Sequence, residues 1–326
     1  MAIREISGPE GVAAASALAA VEHERLRAAL PFMPPRSASS YAPRIEWMVR
    51  EGIVLGLYEG AALQAFLGGF VIEEYRNLGA GAFCPDWCHG AARDERAFDA
   101  YRALYRELAP RWIAAGAPIH AACAYATDEA AIEALSLTGF GRIVMDAARP
   151  AAELKRDLAA RIAASGAAPS GAAAVQVRAA LPSDALVLAA LDARLASHIA
   201  ASPVLMPRTR GRDSDEWAEW LGGAQAVAMI AEAGDDDVGF IKAEEPQFDV
   251  THAVHDDGTL AIDGMFVEAS SRGRGVGRSL LAALVEHAEG AGKSLVSVDC
   301  ETMNPEAYAF WTAWFEPVTW SFERRV

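Results

Sequence analysis

Positive charge is the first thing this chain is short of: 29 lysines and arginines stand against 44 aspartates and glutamates, a formal net charge of −15. So acidic a surface has little to exchange for the counterions of nucleic acid or of an anionic membrane, and neither is expected as a partner. Cysteine is scarce too. Cys84, Cys88, Cys123 and Cys300 are too few for a disulfide framework in 326 residues, so reduced thiols are expected. Cys84-Pro-Asp-Trp-Cys88-His89 lacks the Cys-x-x-Cys spacing of a zinc knuckle and has no second ligand pair near it, so no metal is expected. Hydrophobic residues reach 52%, much of it alanine, yet no charge-free apolar run of about eighteen residues appears. The N-terminal Met-Ala-Ile-Arg-Glu is not a basic segment followed by an apolar stretch and a cleavage site, and a cytoplasmic location is expected. The length suits two domains, each with a sizeable core.

What is present is concentrated in Arg272-Gly273-Arg274-Gly275-Val276-Gly277-Arg278. Before it runs an apolar, strand-like segment with Ile262, Met265, Phe266 and Val267. After it, Val276, Leu280, Leu281, Leu284, Val285 and Ala288 fall on one helical face. The glycines therefore stand at a strand-to-helix junction. They remove the Cβ atoms that would hold a ligand away from the backbone, while the helix leaves its first N–H groups unpaired. The macrodipole and three arginines add favourable charge for a pyrophosphate. No Gly-Lys-Ser/Thr ends the loop, and the glycine spacing is not that of a dinucleotide fingerprint.

Arg-x-x-Gly-x-Gly after a strand resembles motif A of the GNAT family of acyl-CoA-dependent N-acyltransferases. Residues 294–300 read as the next strand, followed by Asn304-Pro-Glu-Ala307 and Phe310-Trp311, which is similar to the family's motif B. The resemblance implies an acyltransferase that uses acetyl-CoA as cosubstrate. It implies a fold that is α/β (α+β by some classifiers), with helices on a mixed, mostly antiparallel sheet. Carried over residue by residue, it implies cofactor contacts at Phe266, Val267, Arg272, Gly273, Arg274, Gly275, Val276, Gly277, Arg278, Asn304 and Trp311. The backbone of Phe266 and Val267 would pair with the pantetheine arm like an added strand.

Residues 150–174 are small and poor in large apolar side chains, and read as a linker from 151 to 174. Beyond it, a second domain (175–326) shows strand, two helices, three strands, helix, strand, helix. The first domain (1–150) repeats the order, with a strand at 3–6, helices at 12–30 and 41–50, and a hairpin of 53–58 with 63–72. A long helix at 98–115, a strand at 119–123 and a helix at 128–137 complete it. Two tandem GNAT-like domains are the expected arrangement. In the first, His89-Gly90-Ala91-Ala92-Arg93-Asp94-Glu95 stands where the phosphate loop belongs, with one glycine and two carboxylates that would repel a phosphate. This half resembles a degenerate copy and is expected to bind no acyl-CoA.

For chemistry, Asp263 on the strand before the loop is the expected general base, with Asp299 and Glu301 as alternatives. A backbone N–H of the same strand is the expected oxyanion donor. The resemblance implies direct attack by the amine, and an acid at the position seven residues after Asn304. That position is Trp311, whose indole cannot deliver a proton. Tyr308, a turn earlier, is the substitute candidate. The missing tyrosine keeps a second class open, a non-catalytic acyl-CoA-binding sensor or scaffold. The helix-to-strand corner at 313–318 lacks the glycine that the family's pattern has before its Phe. Trp217, Trp220, Trp311, Trp314 and Trp320 fit core packing better than an acceptor pocket. The expected partner is a small-molecule amine, with a homodimer as a possible assembly. Asp213, Asp215, Glu216 and Glu219 on one helix would draw a cationic amine over an anionic one.

Overall fold

In a computed structural model the described residues are 1–92, 96–164, 175–207, 210–223, 225–247 and 251–326. Among them the chain forms two compact units, and no helix is long and apolar enough to cross a membrane. Unit 1 comprises Met1–Asp146, Thr251–Val254 and Pro317–Val326; unit 2 comprises Ala147–Val250 and His255–Glu316.

Unit 1 is built from β1 (Ala2–Glu5), α1 (Gly8–Ala29), α2 (Ala38–Glu51), β2 (Ile53–Glu59), β3 (Ala62–Ile72), β4 (Gly81–Cys84) and β5 (His89–Ala91). It continues through α3 (Ala97–Ala114), β6 (Ile119–Tyr125), α4 (Glu129–Leu137) and the first part of β7 (Gly141–Pro150). Unit 2 contains the end of β7, α5 (Ala151–Ala164), β8 (Val175–Ala179), α6 (Ala185–Ala200), α7 (Ser214–Leu221), β9 (Val227–Ala233) and β10 (Asp236–Glu244). It then adds β11 (Thr259–Val267), α8 (Val276–Gly290), β12 (Leu295–Glu301) and α9 (Pro305–Thr312). The last strand, β13 (Glu316–Arg325), falls almost wholly in unit 1.

The strand order is β1-β2-β3-β4-β6-β13 in unit 1, with β5 on β3, and β7-β12-β11-β10-β9-β8 in unit 2. In each, one parallel pair sits among antiparallel ones: β4 with β6, and β11 with β12. The two sheets are alike in build, which makes the chain two GNAT-like α/β units in tandem.

Several segments depart from expectation: β4, β5 and β7 are strands where the sequence pattern marked none, and two further segments change the domain picture. Residues 151–164, read as linker, are the helix α5. Alanine is the strongest helix former, and Leu154 and Leu158, one turn apart, are buried where α5 packs on α8. Lys155 pairs with Glu289 at 2.7 Å along the same contact. Residues 165–174 lie outside the described residues. Pro317–Val326, placed in the second domain, belongs to unit 1: β13 pairs antiparallel with β6 from Thr319↔Tyr125 to Arg325↔Ile119. Its alternating Val318, Trp320 and Phe322 are buried there, a half-buried strand pattern that specifies burial but not which sheet supplies it.

Candidate active site

In unit 2 the anion cradle forms as the glycines require. Gly273 and Gly275 have φ of 73° and 87°, left-handed values that side chains resist, and a Cβ on Gly273 would meet nothing within 4 Å. The helix α8 starts at Val276 without a side-chain cap, and its first bond runs from the Ser279 N–H to the Gly275 carbonyl at 3.0 Å. The N–H groups of Val276, Gly277 and Arg278 therefore lack helical partners. Arg274 is exposed and Arg278 half-buried; neither makes an ion pair among the described residues. These residues fit a pyrophosphate.

Arg272 is different. Its Nε donates to the Val267 carbonyl at 3.0 Å, its guanidinium pairs with Glu306 at the start of α9, and it sits 5.9 Å over the Phe266 ring. Its donors tie the loop to β11 and α9, so the expected phosphate contact passes to Arg274, Arg278 and the backbone. The Val267 carbonyl is likewise engaged by Arg272, leaving less of it for a pantetheine amide.

A slot for an extended ligand arises beside β11. Its parallel ladder with β12 stops at Ile262↔Val298, although β11 continues to Val267 and β12 to Glu301. The cause is a bulge: Ile241 pairs with Met265 and Ala243 with Ile262, so Asp263 and Gly264 together face Lys242. Gly264 has φ 144°, and a Cβ there would lie 2.9 Å from Lys242 Cε. The bulge sends the Phe266 side chain into a core with Trp217, Phe240, Ile230 and Leu188. Met265 is left toward α8 and α9, its Cε 3.5 Å from where a Gly277 Cβ would stand.

At the bulge opens a cleft of about 440 Å³, lined by Asp192, Leu195, Ala196 and Ile199 of α6, residues 210–212, Glu216, Lys242 and Asp263. Asp263 is half exposed in it, with Oδ2 2.5 Å from Lys242 Nζ and 3.6 Å from the Arg212 guanidinium. Accepting a proton there means giving up contacts with two cations. Tyr308 is half-buried on α9 and is not among the cleft-lining residues. Among the alternatives, Asp299 is exposed and Glu301 half-buried at the end of β12.

Asn304 is the N-cap of α9, its Oδ1 accepting from the Ala307 N–H at 3.2 Å. Trp311 is 4% exposed, edge-on to Phe310 at 4.9 Å and Phe315 at 5.6 Å, so the indole serves as core. Trp217, Trp314 and Trp320 are also buried, and Trp217 lies edge-on to Trp220 and Phe240. After α9 the corner closes without a left-handed residue: Trp314 and Phe315 N–H groups both donate to the Trp311 carbonyl, at 3.0 and 2.9 Å.

Two of the four carboxylates at the acidic helix α7 are engaged locally, and Asp215 and Glu219 are exposed. Asp213 accepts from the Asp215 and Glu216 N–H groups at 3.0 Å, and Glu216 is bidentate with Arg210 at 2.6 and 2.7 Å. Arg210 holds the Glu216 carboxyl down at about 2. The sequence reading passed over Lys242 and Asp192, although a signal existed for each. Lys242 interrupts the apolar run Val238–Ala243, and Asp192 sits on the stripe of Leu188, Leu191 and Leu195; both are 6% exposed.

The corresponding junction in unit 1 is closed. After β4 the chain turns at residues 85–88, with the Cys88 N–H on the Pro85 carbonyl at 2.9 Å, and His89–Ala91 returns as β5 along β3. All three residues of β5 are buried. Arg93, Asp94 and Glu95, the carboxylates included, lie outside the described residues. The space beside β4 and β6 measures about 20 Å³ and is filled around by Cys84, His89, Tyr101, Cys123 and Leu135. His89 Nε2 donates to the Cys123 carbonyl at 3.0 Å, and Tyr101 donates to Asp128 Oδ2 at 2.9 Å.

Comparisons with known proteins agree with this build. Residues 194–315 match the acetyltransferase (GNAT) family. A GCN5-related N-acetyltransferase from Sphaerobacter thermophilus is similar over 99% of this chain and 95% of its own, with a TM-score of 0.55 at 13% identity. The glucosamine N-acetyltransferase region of a fungal multi-domain β-N-acetylglucosaminidase aligns over 99% of this chain and 38% of its own, with a TM-score of 0.54 at 10% identity. No curated protein sequence matches the chain. At these identities the structures speak for the fold alone, and residues 194–315, within unit 2, are the part of the chain that matches the acetyltransferase (GNAT) family.

Proposed function

We propose that unit 2 transfers an acetyl group from acetyl-CoA to the amine of a small molecule by direct attack, and that unit 1 binds no acyl-CoA. The observation that supports this best is the run of features along β11. An anion cradle follows it, an unpaired edge lies along its second half, and a charged cleft opens at its bulge. The Gly273–Arg278 backbone with Arg274 and Arg278 would hold the pyrophosphate, and the 263–267 edge the pantetheine arm. A backbone N–H of that edge would receive the developing oxyanion. Asp263 would take the ammonium proton, directly or through water, so that the amine attacks uncharged. Tyr308 is the remaining candidate to protonate the departing thiolate.

Burial of Trp311 at the position where a proton donor is expected favours one second reading, a sensor that binds acyl-CoA without turning it over. Calorimetry with acetyl-CoA, followed by assay of free CoA thiol with an amine panel, separates the two. Amine-dependent thiol release is the expected result. Saturable binding with no release on any amine would establish the sensor.

A further inference from the structure

The cleft at the bulge carries six charged side chains in balance: Arg210, Arg212 and Lys242 against Asp192, Glu216 and Asp263. Five of them have a close polar partner on the protein. Arg210 and Glu216 are locked bidentate, and Lys242 holds Asp263 at 2.5 Å. Asp192 Oδ2 accepts the main-chain N–H of Arg212 at 2.8 Å. The Arg212 guanidinium is the exception. Its nearest acid, Asp263, is 3.6 Å away, beyond hydrogen-bond reach, and its N–H donors have no acceptor among the described residues. Its backbone is pinned to the buried Asp192, and its Cζ lies over the Trp220 and Trp217 rings, 5.3 and 5.8 Å from their centroids. A guanidinium with unspent donors, facing an open cleft, is the arrangement that takes a planar carboxylate in a fork.

Resting on the acetyltransfer reading, we infer that the acceptor is an amine bearing its own carboxylate, an amino acid or a short peptide. Its carboxylate would lie on Arg212 and its ammonium group beside Asp192 and Asp263. The charge balance argues for a zwitterion: a polyamine would leave Arg212 facing a cation, and a phosphate dianion would add two negative charges to a cleft that is already neutral, with only Arg212 free to fork it. The volume agrees, standing near the small end of the roughly 300–1,000 Å³ typical of ligand sites. Arg212 is then a specificity-determining residue.

The test is thiol release from acetyl-CoA with the twenty common amino acids and their glycyl dipeptides, each beside its C-terminal amide, and with spermidine. At least one acid should exceed its amide by about tenfold in kcat/KM, equivalent to about 1.4 kcal/mol for the charge-assisted contact. Arg212→Gln should erase that preference by raising KM for the acid about tenfold more than KM for its amide. Amides equal to acids, spermidine as the best acceptor, or Arg212→Gln lowering acid and amide alike would overturn the inference and leave acetyl transfer standing. Acetyl-CoA binding with no release on any amine would overturn both.

Discussion

β4 in unit 1 and β11 in unit 2 occupy matching places, each the antiparallel neighbour of one strand and the parallel neighbour of another, each leading toward a long helix. The segments that leave these two strands are opposite in character. After β4 come Pro85-Asp-Trp-Cys-His-Gly-Ala91, among which Trp87, Cys88 and Ala91 gain from burial, and the chain folds back into the sheet as β5. After β11 come arginines and glycines, which gain nothing from a core, and the chain stays out in solvent as an open cradle. One strand-to-helix junction thus becomes either a plug or a ligand site according to whether its side chains prefer protein or water.

The harshest way to break the comparison is to remove the strand that unit 1 takes from the far end of the sequence. Deleting Pro317–Val326 would expose the β6 edge and uncover the apolar face that Val318, Trp320 and Phe322 fill. Hydrogen exchange on the full-length deletion variant should show protection lost throughout Ile119–Tyr125 while α8 keeps its own. Retained protection in β6 would mean that unit 1 is closed some other way. For the same reason a fragment ending at residue 150 is a poor test of ligand binding by unit 1.

Acid should divide the units next. Burial lowers three histidines of unit 1, His23, His89 and His120, the last to about 4. Those of unit 2, His198, His255 and His287, are exposed or half-buried. A histidine kept neutral in the fold contributes fully above its unfolded value near 6.5. Below that value the unfolded chain takes up protons that the folded one refuses, and stability is lost as pH falls toward 4. His120 alone represents roughly 3 kcal/mol across that window. Asp86, whose carboxyl burial pushes up, acts in the opposite sense at the acid end. Exchange protection in β6 should therefore fall more than in α8 between pH 7 and pH 4.5. Equal losses would show that the buried histidines are not what distinguishes unit 1.

A pair of glycine substitutions sharpens the contrast with a smaller effect. Gly275→Val puts a branched side chain at φ 87° in the cradle, where its Cβ would stand 3.2 Å from Arg278. Affinity for acetyl-CoA, read by calorimetry, should fall at least tenfold. Gly90→Val places a Cβ 3.0 Å from Phe66 and 3.2 Å from the α1 backbone at Leu18. It should lower the melting temperature, by about 1–3 kcal/mol of overpacking, and leave that affinity unchanged. A Gly90 variant that weakened acetyl-CoA binding would place a cofactor site in unit 1 after all.

Much of the architecture was legible because it rests on local periodicity. The stripe of Leu280, Leu281, Leu284 and Val285 marks α8, and Leu260–Val267 marks β11; both formed where the pattern put them. The cradle was legible for a related reason, since left-handed geometry at Gly273 and Gly275 is a property of the residues themselves. The rest turned on partners distant in sequence. Arg272 reads as a phosphate ligand until Glu306, 34 residues on, takes its guanidinium. Helix α5 reads as a linker until α8 supplies a surface for Leu154 and Leu158. Carboxylates of α7 read as a magnet for cations until Arg210 pairs with Glu216.

By itself the sequence determined the strongly periodic helices and strands and the glycine cradle, and it carries the family match of residues 194–315, because dihedral preference and hydrophobic period act over a few residues. Only the tertiary structure decided which sheet receives β13, which arginines remain unspent and how the cleft at Asp263 is charged. Strand pairing and ion pairing join residues tens to hundreds of positions apart, and their strength depends on burial and distance that no local pattern encodes.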